Sequence, residues 1–306
     1  MPGQTWQGGG SGDGFVCKFD TYGNLKWTRQ FGSNGYDAGY GVAAYGGGVY
    51  VVGPGFLYSY PGPYRRGPGP FMVIKFDVYG NVKWISVFGS SLDILTDYSA
   101  PRAVSVYGSS VLVAGYQTWA SLPGKPDAFV YKFDTSGKYM WSKNIVTSGA
   151  DEAYGVAVSS AGNAYVVGRT TGALPGQTNK GGWDAFVRKY DASGNLKWTK
   201  QFGTSKIDSA YAVAIYGSGI YVGGETTGSL ARQNTMGYYD PFLRKYDAYG
   251  NVKWTKQFGT SYPDEGIKTV AAASSGVYAA GIIRYGTFPG YTNKGGYDVF
   301  ISKFYL

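Results

Sequence analysis

At 306 residues, with 43% hydrophobic and 18% aromatic residues and 50 glycines, the chain can build a packed core of many short strands joined by tight turns; no stretch reaches the roughly 18 uninterrupted apolar residues that would span a bilayer as a helix. One cysteine, Cys17, excludes an internal disulfide, and with no histidine it also excludes ordinary zinc, haem and copper sites and every imidazole-dependent triad, so no metal and no cofactor is expected. The formal charge is +9, but the basic residues recur once or twice per repeat instead of forming one run, which reads as a solvated rim and not as a nucleic-acid track.

Met1-Pro2-Gly3-Gln4-Thr5 has no basic n-region or apolar h-segment and matches Leu174-Pro175-Gly176-Gln177-Thr178 inside a later repeat. The chain is therefore expected to begin mid-period, with any signal peptide absent or already removed. A strand is predicted at Phe15 to Phe19 and a second at Leu25 to Phe31, and four complete sets of four strands follow. In the best-preserved set, small residues at Tyr154 to Val158 suit the crowded innermost position. The turn Ser160 to Asn163 then leads into the β-branched run Ala164 to Gly168. Phe186 to Tyr190 is the third strand. The fourth, Leu196 to Phe202, alternates Leu196, Trp198 and Phe202 with Lys197, Thr199 and Gln201, as an outer strand with one wet side should. Asp191 to Asn195 joins the last two as a hairpin loop. The chain ends on strands near Val270, at Val277 to Gly281 and at Phe300 to Phe304, which makes 21 in all, one more than five blades need.

Trp27, Trp84, Trp141, Trp198 and Trp254 are spaced by 57, 57, 57 and 56 residues. The same register holds for Lys18, Lys75, Lys132, Lys189 and Lys245, for Asp20, Asp77, Asp134, Asp191 and Asp247, and for Gly23, Gly80, Gly137, Gly194 and Gly250. A period of this length with several strands per unit means propeller blades. The expected fold is all-β: one domain over residues 1–306, a single β-propeller of five blades of four antiparallel strands. Closure is expected by strands from both termini, the C-terminal strands joining Leu25 to Phe31 and one third-type strand being left over.

The pattern Asp-Ala-Phe-Val-x-Lys-Tyr-Asp-x-x-Gly-Asn-x-x-Trp-Thr-x-Gln-Phe-Gly at Asp184 to Gly203, nearly repeated at Asp240 to Gly259, resembles the β-propeller repeat known as the SBBP repeat and is related in rhythm to quinoprotein-type blades. The resemblance covers essentially the whole chain, with the largest departure an insertion around Leu92 to Pro101. It implies a propeller from a large exported or surface-anchored prokaryotic protein of unassigned activity, and so an extracellular or cell-surface location.

Asp37, Asp151, Asp208 and Asp264 each precede the centre of an inner strand by about five residues, with Asp97 a looser fifth member, and are expected to ring one mouth of the axial channel. There they would bind a cation or sugar hydroxyls, or simply cap turns and pair with the repeated lysines. Glu152 and Glu265 add acids, but nothing breaks the symmetry enough to nominate a glycosidase acid and nucleophile, so no catalytic residue is expected. The loops between second and third strands vary most and place Tyr60, Tyr64, Trp119, Asn179 and Asn293 where a lectin would hold sugars, or where they would pack over blade edges. The leading expectation is a non-enzymatic surface or scaffold module with protein partners, assembling with itself by donating Phe300 to Leu306; glycan binding is the second and glycan cleavage the third.

Overall fold

The computed structural model describes residues 12–32, 37–54, 65–66, 71–89, 99–118, 125–288 and 290–305, and among these there are 22 strands and no helix. In chain order they are β1 (Gly14–Phe19), β2 (Leu25–Phe31), β3 (Gly41–Tyr45), β4 (Gly48–Pro54), β5 (Arg65–Arg66), β6 (Phe71–Phe76), β7 (Val82–Phe88), β8 (Ala100–Tyr107), β9 (Ser110–Thr118), β10 (Pro126–Asp134) and β11 (Tyr139–Ile145). There follow β12 (Asp151–Val158), β13 (Ala164–Thr170), β14 (Asp184–Tyr190), β15 (Leu196–Phe202), β16 (Asp208–Tyr216), β17 (Gly219–Thr226), β18 (Asp240–Tyr246), β19 (Val252–Gln257), β20 (Ile267–Ala273), β21 (Gly276–Arg284) and β22 (Tyr297–Phe304).

The strands fall into two units, Met1–Lys143 and Asn144–Leu306. The first holds the pair β1-β2, the sheet β3-β4-β6-β7-β5 and the sheet β8-β9-β10-β11; the second holds β12-β13-β14-β15, β16-β17-β18-β19 and β20-β21-β22. Two expectations change. The ladders make six sheets where five four-stranded blades were expected, and Leu25–Phe31 pairs with β1 while Tyr297–Phe304 pairs with β21, so the expected junction of C-terminal strands with Leu25–Phe31 is not among the ladders of the described residues. The local reason is the tight turn between β1 and β2, whose short closure makes the hairpin the cheapest pairing for both. The second change is β5, inside the segment expected to be a loop: Arg65 and Arg66 pair in parallel with Ile85 and Ser86 on the outer edge of β7.

The third-to-fourth-strand hairpin explains why Asp, Gly and Asn recur. Asp191 Oδ1 accepts from the Ser193 and Asn195 amides at 3.0 and 2.9 Å, and Oδ2 accepts from Asn195 Nδ2 at 3.0 Å. Gly194 takes φ 85°, where a side chain would strain the backbone. The arrangement returns at Asp20, Asp77 and Asp247 with the same partners.

The repeated tryptophan and lysine make a latch onto the next hairpin. Trp27 Nε1 and Lys18 Nζ both donate to the Val78 carbonyl, at 2.9 and 3.0 Å. Trp84 and Lys75 share the Thr135 carbonyl at 3.1 and 2.9 Å, and Trp198 and Lys189 share that of Ala248 at 3.2 and 2.9 Å. A carbonyl has two lone pairs, so in these three cases one acceptor satisfies both donors and ties the sheet to the next one within its unit. Between the latched sheets the cores are aromatic and β-branched: Val167, Val187, Val222 and Phe242 are fully buried in the second unit, Val52, Val73, Val113 and Phe129 in the first. Each such side chain contributes about 1.5–3 kcal/mol.

Candidate functional site at the start of the inner strands

In the second unit β12 and β16 begin at an aspartate and Asp264 stands three residues before β20, and the backbone places Asp208 and Asp264 at the junction between two sheets. The Asp208 amide donates to the Trp183 carbonyl at 2.7 Å and the Asp264 amide to that of Tyr239 at 3.1 Å, the residues immediately before β14 and β18. The side chains turn inward. Asp151 Oδ2 accepts from the Thr147 amide and hydroxyl at 2.6 and 2.9 Å, and Asp208 Oδ2 from those of Thr204 at 2.6 and 3.0 Å. Asp264 accepts the same two donors from Thr260 at 2.7 and 3.2 Å. All three are fully buried, and Asp37 in the first unit is 1% exposed, with its amide bonded to the Gly12 carbonyl. A Thr-x-x-x-Asp loop thus closes onto its own carboxylate. Asp97 lies outside the described residues.

A second carboxylate stands across each junction. Asp184 Oδ1 and Asp208 Oδ2 both lie 2.7 Å from the point a Gly203 Cβ would occupy, and Asp240 and Asp264 flank Gly259 in the same way. Burial pushes the Asp208 and Asp264 carboxyls above the ordinary range, and the facing Asp184 and Asp240 charges push in the same direction. Gln201 completes the first junction: its Nε2 donates to Asp184 Oδ2 at 2.9 Å and to the Gly172 carbonyl at 3.0 Å, while its Oε1 accepts from the Leu174 amide at 2.9 Å. Gln257 does the same for Asp240, Gly228 and Leu230. The sequence reading put Gln201 on the wet side of its strand and left Gln257 unnamed; the structure instead buries Gln201, because its amide is needed by Asp184, Gly172 and Leu174.

Non-repeated chemistry gathers one step further along the same strands. A β-bulge interrupts each inner ladder, between Ala153 and Gly155, Ala210 and Ala212, and Ile267 and Thr269, which turns out Tyr154, Tyr211 and Lys268. Arg169 Nε and Nη2 both meet Glu152 Oε2 at 2.7 Å, and the Tyr154 hydroxyl donates to the same oxygen. The Tyr211 hydroxyl donates to Glu225 Oε1, and Lys268 Nζ lies 3.4 Å from Glu225 Oε2. The rings of Tyr154 and Tyr211 meet edge-on at 5.2 Å, Arg169 stacks on Trp183 at 4.1 Å, and Lys268 lies over Tyr211 at 4.2 Å. Burial and the Glu225 charge push the Tyr211 hydroxyl well above its usual range, so it stays a hydrogen-bond donor. The sequence reading singled out none of Glu225, Tyr154, Tyr211, Arg169 and Lys268 as site residues; their signal is that Glu225 stands where the preceding repeat has Arg169, and Lys268 where two repeats have Tyr154 and Tyr211.

This cluster is a set of closed pairs. Glycoside cleavage needs one carboxyl to deliver a proton and another to attack or to activate water. Here both glutamates accept from a tyrosine hydroxyl and face a cation. Among the described residues no group of three or more acids or cysteines could hold a metal ion. Asn179 Nδ2 bonds the Gly172 carbonyl at 3.3 Å and its Oδ1 accepts the Gly181 amide at 3.1 Å; Asn293 repeats this with Gly286 and Gly295 at 2.9 Å each. Both shape their own loops. Tyr60, Tyr64 and Trp119 lie outside the described residues.

Comparison with known proteins bears on this geometry. Over 216 residues, 62% of this chain, it is 27% identical to the regulatory protein FlaEY of Caulobacter vibrioides, and the match spans 22% of that protein's length. Among solved structures, Kuenenia stuttgartiensis hydrazine synthase superposes with a TM-score of 0.51 at 14% identity, over 87% of this chain and 62% of that one. A GH43_1 enzyme from Xanthomonas citri reaches 0.46 at 9% identity, over 81% and 82%, a likeness that says nothing of activity. No helix among the described residues is long and apolar enough to cross a membrane. Residues 141–175, which hold Trp141, the Thr147–Asp151 loop and the inner strand β12, match the model of the SBBP β-propeller repeat, so the resemblance read from the sequence stands and this all-β chain carries that repeat.

Proposed function

We propose that this chain is a non-enzymatic interaction β-propeller of the cell surface or extracellular space, which meets protein partners, copies of itself among them, along the edge strand β22. The observation that carries the reading is the exposure of that strand. Val299 and Ile301 are 76% and 74% exposed, whereas Ala185 and Val187, at the corresponding positions of β14, are fully buried against the next sheet, with Val222 and Phe242. An edge with unpaired backbone groups and an apolar face is a template for strand addition. In a five-bladed ring, completion by Leu25–Phe31 would use the same edge, so closure within one chain and pairing between chains compete for it.

Several observations support the non-enzymatic part. Asp151, Asp208 and Asp264 are consumed by loop closure, the lysines and tryptophans of three repeats by the latch, and Glu152 and Glu225 by tyrosine and cation partners. The relative with the most informative name is a regulatory protein, and surface exposure is the usual setting of the repeat. The competing lectin-like or glycan-cleaving use of Asn179, Asn293 and the channel carboxylates has against it that each of those groups is hydrogen-bonded internally.

Light scattering of the purified chain tests the proposal, with Phe300–Leu306 removed in one variant and Val299→Lys with Ile301→Lys in another. Large species that grow with concentration and fall to monomer in the double variant support it. A monomer throughout, at every concentration, removes self-assembly and leaves closure within the chain.

A further inference from the structure

Within each unit, the third strand of a sheet packs through a phenylalanine onto the third strand of the sheet before it. Phe129 of β10 stacks on Phe71 of β6 with ring centroids 5.4 Å apart, and Val73 of β6 lies in the same buried cluster. In the second unit Phe242 of β18 shares a buried cluster with Ala185 and Val187 of β14. The repeated lysines fix the register of this contact. The phenylalanine stands three residues before its lysine, and the two residues it meets stand four and two before theirs.

The first and last sheets each hold one half of the same contact. β1 carries Phe15 three residues before Lys18, where β10 has Phe129 and β18 has Phe242, yet Phe15 is 57% exposed. Phe19 on the same face is exposed as well, although Phe133 and Tyr246 are buried at that position. The opposite face of β1 is engaged, with Val16 buried in a cluster with Phe31, Val51 and Met72. β22 shows the inverse. Its Phe300 is buried with Tyr221 and Leu243 of the sheet before it, while Val299 and Ile301, four and two residues before Lys303, are open to water. Among the described residues of its own unit, β1-β2 has no sheet before it and β20-β21-β22 has none after it.

We propose that these faces are the two halves of one head-to-tail contact between copies of this chain, the Phe15 face of one copy seated on the Val299 and Ile301 face of the next. The inference rests on the reading of β22 as the contact strand and names what covers it. The contact continues a packing that the chain builds in both of its units: Phe15 meets Val299 and Ile301 as Phe242 meets Ala185 and Val187. Removal of apolar surface from water drives it, as it drives the stacking of sheets inside each unit. The two faces are different surfaces, so the contact is heterologous. Each added copy leaves one face free, and growth runs on into open fibres or closed rings. A two-fold contact of β22 with a second β22 would leave Phe15 uncovered.

Mixing two blocked chains tests the contact by light scattering. Phe15→Lys with Phe19→Lys blocks the first face, and Val299→Lys with Ile301→Lys blocks the last; all four positions are exposed, and unfolding midpoints equal to the parent's confirm the fold. The parent chain is expected to form species that grow with concentration, and each blocked chain to stay a monomer. Their one-to-one mixture should give a particle of twice the monomer mass that grows no further, because each blocked chain retains the face the other has lost. Phe15→Thr with Phe19→Thr, a milder block that keeps the strand uncharged, should weaken association at least about tenfold. Assembly that persists in the Phe15 and Phe19 variants overturns the head-to-tail contact and leaves β22 pairing by another route. Two folded monomeric variants that fail to combine overturn it too. A parent chain that is monomeric at every concentration overturns both this contact and self-association through β22.

Discussion

The latch makes a quantitative prediction at Gly250. This residue sits at φ 83° in the β18–β19 hairpin, and an added Cβ would lie 2.9 Å from Cδ2 of the Trp198 indole and 2.9 Å from the Lys200 stem. Gly217, in the β16–β17 turn of the same sheet, has φ 58° and nothing within 4 Å of an added Cβ. Alanine at either position carries the strain of the left-handed region, about 1–2 kcal/mol. Only at Gly250 does it also overpack an interface, which adds about 1–3 kcal/mol. The expected losses are therefore about 1–2 kcal/mol for Gly217→Ala and about 2–5 kcal/mol for Gly250→Ala. Urea unfolding followed by tryptophan fluorescence measures both in one sheet. In a Trp198→Ala background the excess at Gly250 should shrink, because the atom it collides with is gone. Equal losses at the two glycines, or an excess that survives removal of the indole, would refute the latch as the load on that hairpin.

Gln201→Ala should cost about 2–4 kcal/mol, because it strips partners from the buried Leu174 amide and from Asp184; amide exchange should accelerate at Leu174 and not at Val187 in the adjacent strand. Stability should also carry two opposing pH limbs. Asp208 and Asp264 are raised by burial, so the folded state binds protons more tightly than the unfolded chain, and stability falls as pH rises from the ordinary carboxylate value through their raised ones. Asp191 and Asp247 are lowered by the amides of Asn195 and Asn251; their contribution is present above the ordinary value and is lost as pH falls through the depressed ones. Unfolding midpoints measured against pH should lose the first limb in Asp208→Asn and the second in Asp191→Asn with Asp247→Asn; a single monotonic limb that neither variant changes would contradict the assignment.

Strand order was legible because it depends on local chemistry: alternation in Leu196–Phe202, the turn signal Asp191 to Asn195, and small residues beside the bulges. Sheet count was not, because the first sheet has two strands and the last has three, and which strands pair at the ends is decided by loop closure and not by pattern. Asp151, Asp208 and Asp264 were visible as a register. Their burial was not, since the threonine four residues earlier that captures each one is itself a common loop residue. The arginine pair with Glu152 and the tyrosine pair with Glu225 were illegible for another reason: Glu152 lies 17 residues from Arg169 and Tyr211 14 from Glu225, and a bulge shifts the side-chain alternation that would have aligned them.

In a chain whose repeats solve the same folding problem several times, identity between copies reports what the fold requires and difference reports what it does not. The Trp-Lys latch and the Asp-x-x-Gly-Asn hairpin are shared and their atoms are consumed by structure. The residue two places after the tryptophan varies and still serves the latch: Arg29 donates to the Gly80 and Tyr79 carbonyls, and Ser86 donates to that of Gly137. β22 differs from its counterparts in the same sense, because Val299 and Ile301 are exposed where β10 and β14 bury alanine and valine, and that difference is what the proposed pairing along this edge rests on.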